Sequence, residues 1–217
     1  FLGFVFGLTS FINNTFKAVT ASAFVFSPVL AADVIGISGV FKSMYICFVP
    51  RILVGVIPYF VYILIRNLLK SRQAAWRYAI NGAVSVIFCI SVRAFLNNLL
   101  KESGNTLAGT AAGIVLGAVL FLGLTAMGHK KASANVAFAY AGLAGAFTNT
   151  LFVMSGIFIL YKEAYAQALG VAGDAVIDVI MGIISFNGIV EAVVAAILTA
   201  GVGIALAQIK PVKGLKD

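Results

Sequence analysis

Charge is the scarcest resource in this sequence: only 10% of the 217 residues are Asp, Glu, Lys or Arg, against about 25% in soluble domains. A soluble surface cannot be assembled from so few, and that excludes the ordinary globular enzymes and binding modules. Histidine is nearly absent too, with one in the chain, and there are two cysteines. With no paired cysteines and no acid-rich helix face, the sequence argues against a catalytic metal site, and no cofactor is expected. Cys47 and Cys89 both fall in apolar stretches, where they read as small buried hydrophobes rather than a disulfide. No Gly-x4-Gly-Lys-Ser/Thr segment is present, so any ATP hydrolysis must come from another protein. The chain starts at Phe1-Leu2-Gly3, inside an apolar helix and without an initiator methionine; the expectation is that N-terminal sequence precedes it, and no signal peptide can be assessed.

What is abundant is apolar surface, 62% of residues with a mean hydropathy of +1.08. Several runs reach the roughly 20 residues that cross ~30 Å of hydrocarbon as a helix, and no alternating barrel segments occur. The fold class expected is an all-α integral membrane protein, a polytopic helical bundle forming one transmembrane domain over 1–217. Six spans are expected, near residues 1–16, 45–69, 77–99, 106–128, 134–161 and 175–208. Arg66, Lys70, Arg72 and Arg77 surround one connection, His129, Lys130 and Lys131 another, and Lys210, Lys213 and Lys216 the tail. Cations of this kind mark the cytoplasmic side, so the C-terminus is expected there and segments 17–44, 100–105 and 162–174 outside. The net charge of +8 follows from this orientation without a nucleic-acid partner.

The long outer segment 17–44 mixes Thr20, Ser22, Ser27 and Ser38 with Phe24, Phe26 and Phe41. Two readings are open: a lid over a pocket, or a loop lying in the lipid interface with aromatic anchors. Ionisable groups in a span cost at least ~2.5–3.5 kcal/mol each, so each asks for a partner or a function. Arg51, just after Pro50 at the expected first turn of the second span, either points into an outer vestibule, where its planar fork suits a carboxylate, or snorkels to lipid phosphate. Glu191 lies one turn after Asn187 on the last span; it binds substrate or ties helices together. Arg93 reads as an interface residue. Thr148-Asn149-Thr150 puts an amide and two hydroxyls at mid-membrane, for a polar ligand or for interhelical bonding. Gly3-x3-Gly7 and Gly109-x3-Gly113-x3-Gly117 permit close helix contact, within the protein or with a partner. Asp174 and Asp178 complement the dipole of the last helix.

Phe4-Val5-Phe6-Gly7-Leu8-Thr9-Ser10-Phe11, Phe24-Val25-Phe26-Ser27-Pro28, Val49-Pro50-Arg51-Ile52-Leu53-Val54-Gly55, Thr148-Asn149-Thr150 and Asn187-Gly188-Ile189-Val190-Glu191-Ala192, in this order, resemble the substrate-binding S component of energy-coupling factor vitamin transporters. Within that family the likeness is greatest to the pantothenate-specific type, over most of 1–70 and 134–208. The resemblance implies a six-helix subunit of a bacterial cell membrane that binds a vitamin at its outer face under loops, here 17–44 and 162–174. It also implies a transmembrane T component and two cytoplasmic ATPase subunits as partners, and a subunit that topples in the membrane to release substrate. Two departures stand out: the two first helices of the family are not visible, and 74–131 reads as an added helical hairpin.

On that resemblance the site would comprise Asn14, Thr15, Lys17, Phe26, Arg51, Asn149, Asn187 and Glu191, with Arg51 or Lys17 meeting a carboxylate and the amides and Thr15 meeting amide and hydroxyl groups. Other vitamins remain open, namely pyridoxine, hydroxymethylpyrimidine and folate. So do a proton-coupled secondary transporter using Glu191 and an intramembrane lipid enzyme. The last is disfavoured because Glu191 and Asp178 stand ~20 Å apart along one helix at 1.5 Å per residue.

Overall fold

The structure is a computed structural model, and it describes residues 1–70, 74–99, 106–129 and 133–209. Seven α-helices carry these residues: α1 (Leu2–Phe16), α2 (Pro28–Ile35), α3 (Ile37–Lys70), α4 (Ala74–Leu99), α5 (Thr106–His129), α6 (Ser133–Leu169) and α7 (Val176–Ile209). A 3-10 turn, Ala23–Phe26, precedes α2, and no strand occurs among the described residues. The helices α3 to α7 are long and apolar enough to cross a membrane. This is an all-α polytopic membrane protein. Arg72, Lys130, Lys131, Lys210, Lys213 and Lys216, on which the expected sidedness leans, lie outside the described residues, as does the connection 100–105.

Two expected boundaries move, both because helix-end signals sit inside segments that looked like loops. In 17–44, Ser27 is the N-cap of α2, its Oγ accepting from the Leu30 N–H at 3.3 Å, and Pro28 occupies the first turn, where a missing N–H costs nothing. Gly36 ends α2 at φ 71, a conformation that glycine adopts without steric penalty. Helix α3 then starts at Ile37, not near 45, so Pro50 lies in the helix interior rather than in a first turn. At the other segment α6 runs on to Leu169, beyond the expected 161, because Tyr161, Tyr165 and Ala166 are buried in a core. It closes with Gly170 at φ 66 and a bond from the Val171 N–H to the Ala166 carbonyl at 3.0 Å, the glycine-terminated helix end.

The chain forms two compact units: Phe1–Ile57 with Phe147–Ile184, and Pro58–Ala146 with Ser185–Asp217. In the first, Phe24, Val25, Ala31, Ile46, Val153, Ile157, Tyr161, Val176 and Ile180 make the core. Helix α1 lies against α3 there through glycines. A Cβ at Gly7 would stand 2.8 Å from a Phe48 ring carbon and 3.0 Å from the Cys47 carbonyl oxygen, and one at Gly3 would strike the backbone of Arg51. The Cys47 thiol donates to the Gly7 carbonyl at 3.2 Å. The Gly3-x3-Gly7 spacing thus serves contact inside the protein.

In the second unit, α4 and α5 pack antiparallel, with Gly109, Gly113 and Gly117 set against Asn97, Cys89 with Arg93, and Ser85 with Cys89. The seam ends where Asn81 Nδ2 donates to Thr125 Oγ1 at 3.1 Å and the Tyr140 hydroxyl donates to Asn81 Oδ1 at 2.6 Å. Ile65, Leu124, Val136, Ala137 and Tyr140 form its core.

Candidate functional site

The interior position of Pro50 organises the first unit's polar centre. In a helix the N–H of residue 50 would bond the carbonyl of residue 46; proline has none, so that carbonyl is orphaned. The Arg51 side chain fills the gap, Nη1 donating to the Ile46 carbonyl at 2.7 Å. With Arg51 only 6% exposed, its guanidinium lies over two aromatic faces, 5.0 Å from the Phe26 centroid and 5.6 Å from that of Phe6. Arginine over an aromatic face gains cation–π attraction, about 2 kcal/mol or more when desolvated.

The segment carrying Phe26 is a packed plug. Ser43 Oγ donates to the Val25 carbonyl at 2.9 Å, Phe24 and Val25 are buried, and Ser27 Oγ lies 2.8 Å from Thr15 Oγ1. Asn14, beside Thr15, donates from Nδ2 to the Ser10 carbonyl at 2.8 Å. Lys17 follows α1 and is exposed.

Contacts between α3 and α6 fix their register. The Tyr161 hydroxyl donates to the Gly39 carbonyl at 2.8 Å, and a Cβ at Gly156 would meet Ile46 Cγ1 at 3.1 Å. The helices therefore run antiparallel, and continuing the register brings Thr148-Asn149-Thr150 to the height of Arg51. Both threonines are buried. Asn149 Oδ1 is buried and has no hydrogen-bond partner, an acceptor whose desolvation without a donor costs about 1–3 kcal/mol.

Asn14, Thr15, Lys17, Phe26, Arg51 and Asn149 thus all belong to the first unit, whereas Asn187 and Glu191 belong to the second. Glu191 is exposed on α7, and the side chain of Asn187 lies outside the described residues. Sequence reading named Ser27 only as a hydroxyl of the outer segment and left Phe6 and the Ile46 carbonyl out of the site. The last was legible in principle, because a proline inside a helix always orphans the carbonyl four residues before it.

Cavities of the first unit are lined by other residues. One of about 590 Å³ is lined by α3 and α6 residues including Phe41, Lys42, Tyr45, Phe152 and Ser155. Another, of about 500 Å³, lies between Thr20, Phe24, Asp33 and Gln167. Arg51 lines neither: its guanidinium is roofed by Phe26 as the structure stands. Among the described residues no three of His, Cys, Asp and Glu come together as metal ligands would.

No family model matches the chain, and no solved structure matches it. A curated protein does: the pantothenic acid transporter PanT of Lactococcus lactis subsp. cremoris strain MG1363 is 40% identical over 110 residues, covering 50% of this chain and 54% of PanT. The chain spans about half the length of that relative. The resemblance read from the motifs stands on this likeness to a curated vitamin transporter, and the helical, membrane-type fold fits an S component.

Proposed function

We propose that this chain is the substrate-binding membrane subunit of an energy-coupling factor importer and that its substrate is pantothenate. The observation that carries the reading is the buried Arg51 guanidinium, locked between Phe6 and Phe26 at the height of a partnerless amide oxygen on Asn149. Pantothenate presents a carboxylate, a secondary amide, two hydroxyls and an apolar dimethyl carbon. A fixed guanidinium matches the carboxylate, Asn149 Oδ1 accepts from an amide N–H or a hydroxyl, the Thr15 and Ser27 hydroxyls and Asn14 take the remaining polar groups, and the phenyl faces take the methyls. Exposed Lys17 draws the anion in by its charge.

For the ligand to reach Arg51, Phe26 must swing aside and close again, so the 3-10 turn acts as the lid. In this reading the lid faces outward and the C-terminus inward, a T component and two ATPase subunits supply the energy and the ATP hydrolysis, and the chain itself catalyses nothing. The PanT likeness supports pantothenate over pyridoxine, hydroxymethylpyrimidine or folate.

Calorimetric titration of the purified full-length protein with these four vitamins is the test. Tight one-to-one binding of pantothenate alone is expected; preference for another vitamin would reassign the substrate, and no binding by folded protein would overturn the reading. Uptake into vesicles by the protein alone, without ATP, would replace the subunit assignment with a secondary transporter.

A further inference from the structure

We propose that Pro50 is a positioning residue that makes the site selective for a carboxylate, by orphaning the Ile46 carbonyl and so fixing the Arg51 guanidinium. This rests on the pantothenate reading of the site and goes beyond it, since it names a residue that touches no ligand. An arginine side chain carries four rotatable bonds, and a long cation left to itself in a membrane reaches for the nearest lipid phosphate or water. Among the contacts of this one, two matter here. The aromatic faces of Phe6 and Phe26, at 5.6 and 5.0 Å, set the region in which the guanidinium lies. By themselves the rings do not set its direction in the plane, because an attraction between a cation and a ring face has no preferred direction within that plane.

The hydrogen bond from Nη1 to the Ile46 carbonyl, at 2.7 Å, supplies such a direction. It exists because the carbonyl has no helical donor: Pro50 cannot supply one, while Ile46 is wholly buried, away from water. Once Nη1 is tied, the planar fork can point only one way, and the direction in which it meets two carboxylate oxygens is set before the ligand arrives. Pre-arrangement of this kind raises affinity by cutting the ordering cost of binding. An alanine at 50 would return an N–H to the Ile46 carbonyl, restore the ordinary helical bond and compete with Nη1 for that acceptor.

The experiment compares Pro50→Ala with the unsubstituted full-length protein, titrating each with pantothenate and with pantothenyl alcohol, the same molecule with its carboxylate replaced by a neutral primary alcohol. Pro50→Ala is expected to weaken pantothenate about tenfold while leaving the alcohol within about twofold, so the preference for the acid narrows by roughly a factor of ten. Arg51→Ala should narrow the same preference, and adding Pro50→Ala to it should narrow it no further. Pro50→Gly, which also restores the N–H, should repeat the effect and serves if the alanine variant fails to fold.

An equal loss for both ligands would make Pro50 a packing residue only and overturn the inference. So would an unchanged preference, or a further narrowing on top of Arg51→Ala. If the unsubstituted protein binds neither molecule, the function reading falls and this inference with it; if it binds both and the preference is insensitive to Pro50, only the inference falls.

Discussion

Both units of this protein use the same device to bring helices together, glycines four residues apart pressed on a neighbour's backbone, yet they put it to different ends. In the second unit the glycines of α5 face a stripe of α4 that repeats Asn81, Ser85, Cys89, Arg93 and Asn97. A Cβ at Gly117 would already stand 3.0 Å from Cys89 Cβ and 3.1 Å from the Ser85 carbonyl oxygen, so no ligand fits into that seam. At its end the polar groups answer one another, Tyr140 to Asn81 to Thr125. In the first unit, Gly3 and Gly7 bring α1 equally close to α3, but the face beside the seam holds a full positive charge, with Phe26 of the 3-10 turn against it. Close packing supplies rigidity in both, and each unit keeps a buried acceptor without a donor, Asn149 Oδ1 in the first and Asn97 Oδ1 in the second; what makes the first a candidate site is the buried cation it also holds.

The difference can be broken most sharply at Arg51. Arg51→Ala removes the charge and leaves the Ile46 carbonyl orphaned. Truncating a buried, hydrogen-bonded charge that meets an opposite charge costs about 2–5 kcal/mol of binding, so pantothenate affinity should fall at least about 30-fold in a titration. An unchanged affinity would place the ligand elsewhere. The glycine seams come next. Gly7→Val puts side-chain atoms where Phe48 and the Cys47 carbonyl lie, and overpacking of that kind typically costs about 1–3 kcal/mol. Gly113→Val does the same against the Cys89 carbonyl. Both variants should unfold at lower temperature, but only Gly7→Val, whose seam carries the backbone of Arg51, is expected to weaken pantothenate as well. Equal weakening by the two would erase the contrast between the units.

Most helices were legible because a run of twenty apolar residues has few other options. Their ends were less so. Gly39, Lys42 and Ser43 gave the start of α3 the look of a loop, and only contacts far along the chain explain why it is helical: Gly39 admits Ala31 and takes the Tyr161 hydroxyl, and Ser43 holds the 3-10 turn. Of the site, Arg51 and Asn149 were visible as polar residues in apolar company. Of the two rings over the guanidinium, Phe26 was named through the resemblance, whereas Phe6 was not, since nothing in sequence sets it apart from the other 17 of the 18 phenylalanines until folding brings it to Arg51. Glu191 drew notice as a carboxylate in an apolar span and through the family resemblance, and neither signal carries information about which unit its helix segment joins.

Asn149 offers a finer test. Its Oδ1 has no donor among the protein's own groups, so Asn149→Leu relieves an unsatisfied group and should hold or raise thermal stability. If a ligand N–H or O–H satisfies that oxygen, the same change should weaken pantothenate by about 5- to 20-fold, the worth of one buried hydrogen bond. Stability and affinity would then move in opposite directions, a combination expected of a binding residue. A loss of both would make Asn149 a tie between helices.

The smallest effect is expected where the second unit is best satisfied. Tyr140→Phe deletes the donor to Asn81 Oδ1 and leaves that oxygen buried among Tyr140, Thr125 and the core. In water-soluble proteins such an orphan costs about 1–3 kcal/mol. In a membrane the unfolded reference also finds partners, and interhelical hydrogen bonds average only about 0.6 kcal/mol. The lower figure should apply, because the Thr125 hydroxyl on the other side of Asn81 can turn to offer its proton once Asn81 reorients its amide. Thermal unfolding should therefore move by a few degrees at most, with pantothenate affinity unchanged within a factor of two. A large loss of binding from Tyr140→Phe would mean that the polar end of the α4–α5 seam reports to the site in the first unit, and the separation of a packing unit from a binding unit would have to be abandoned.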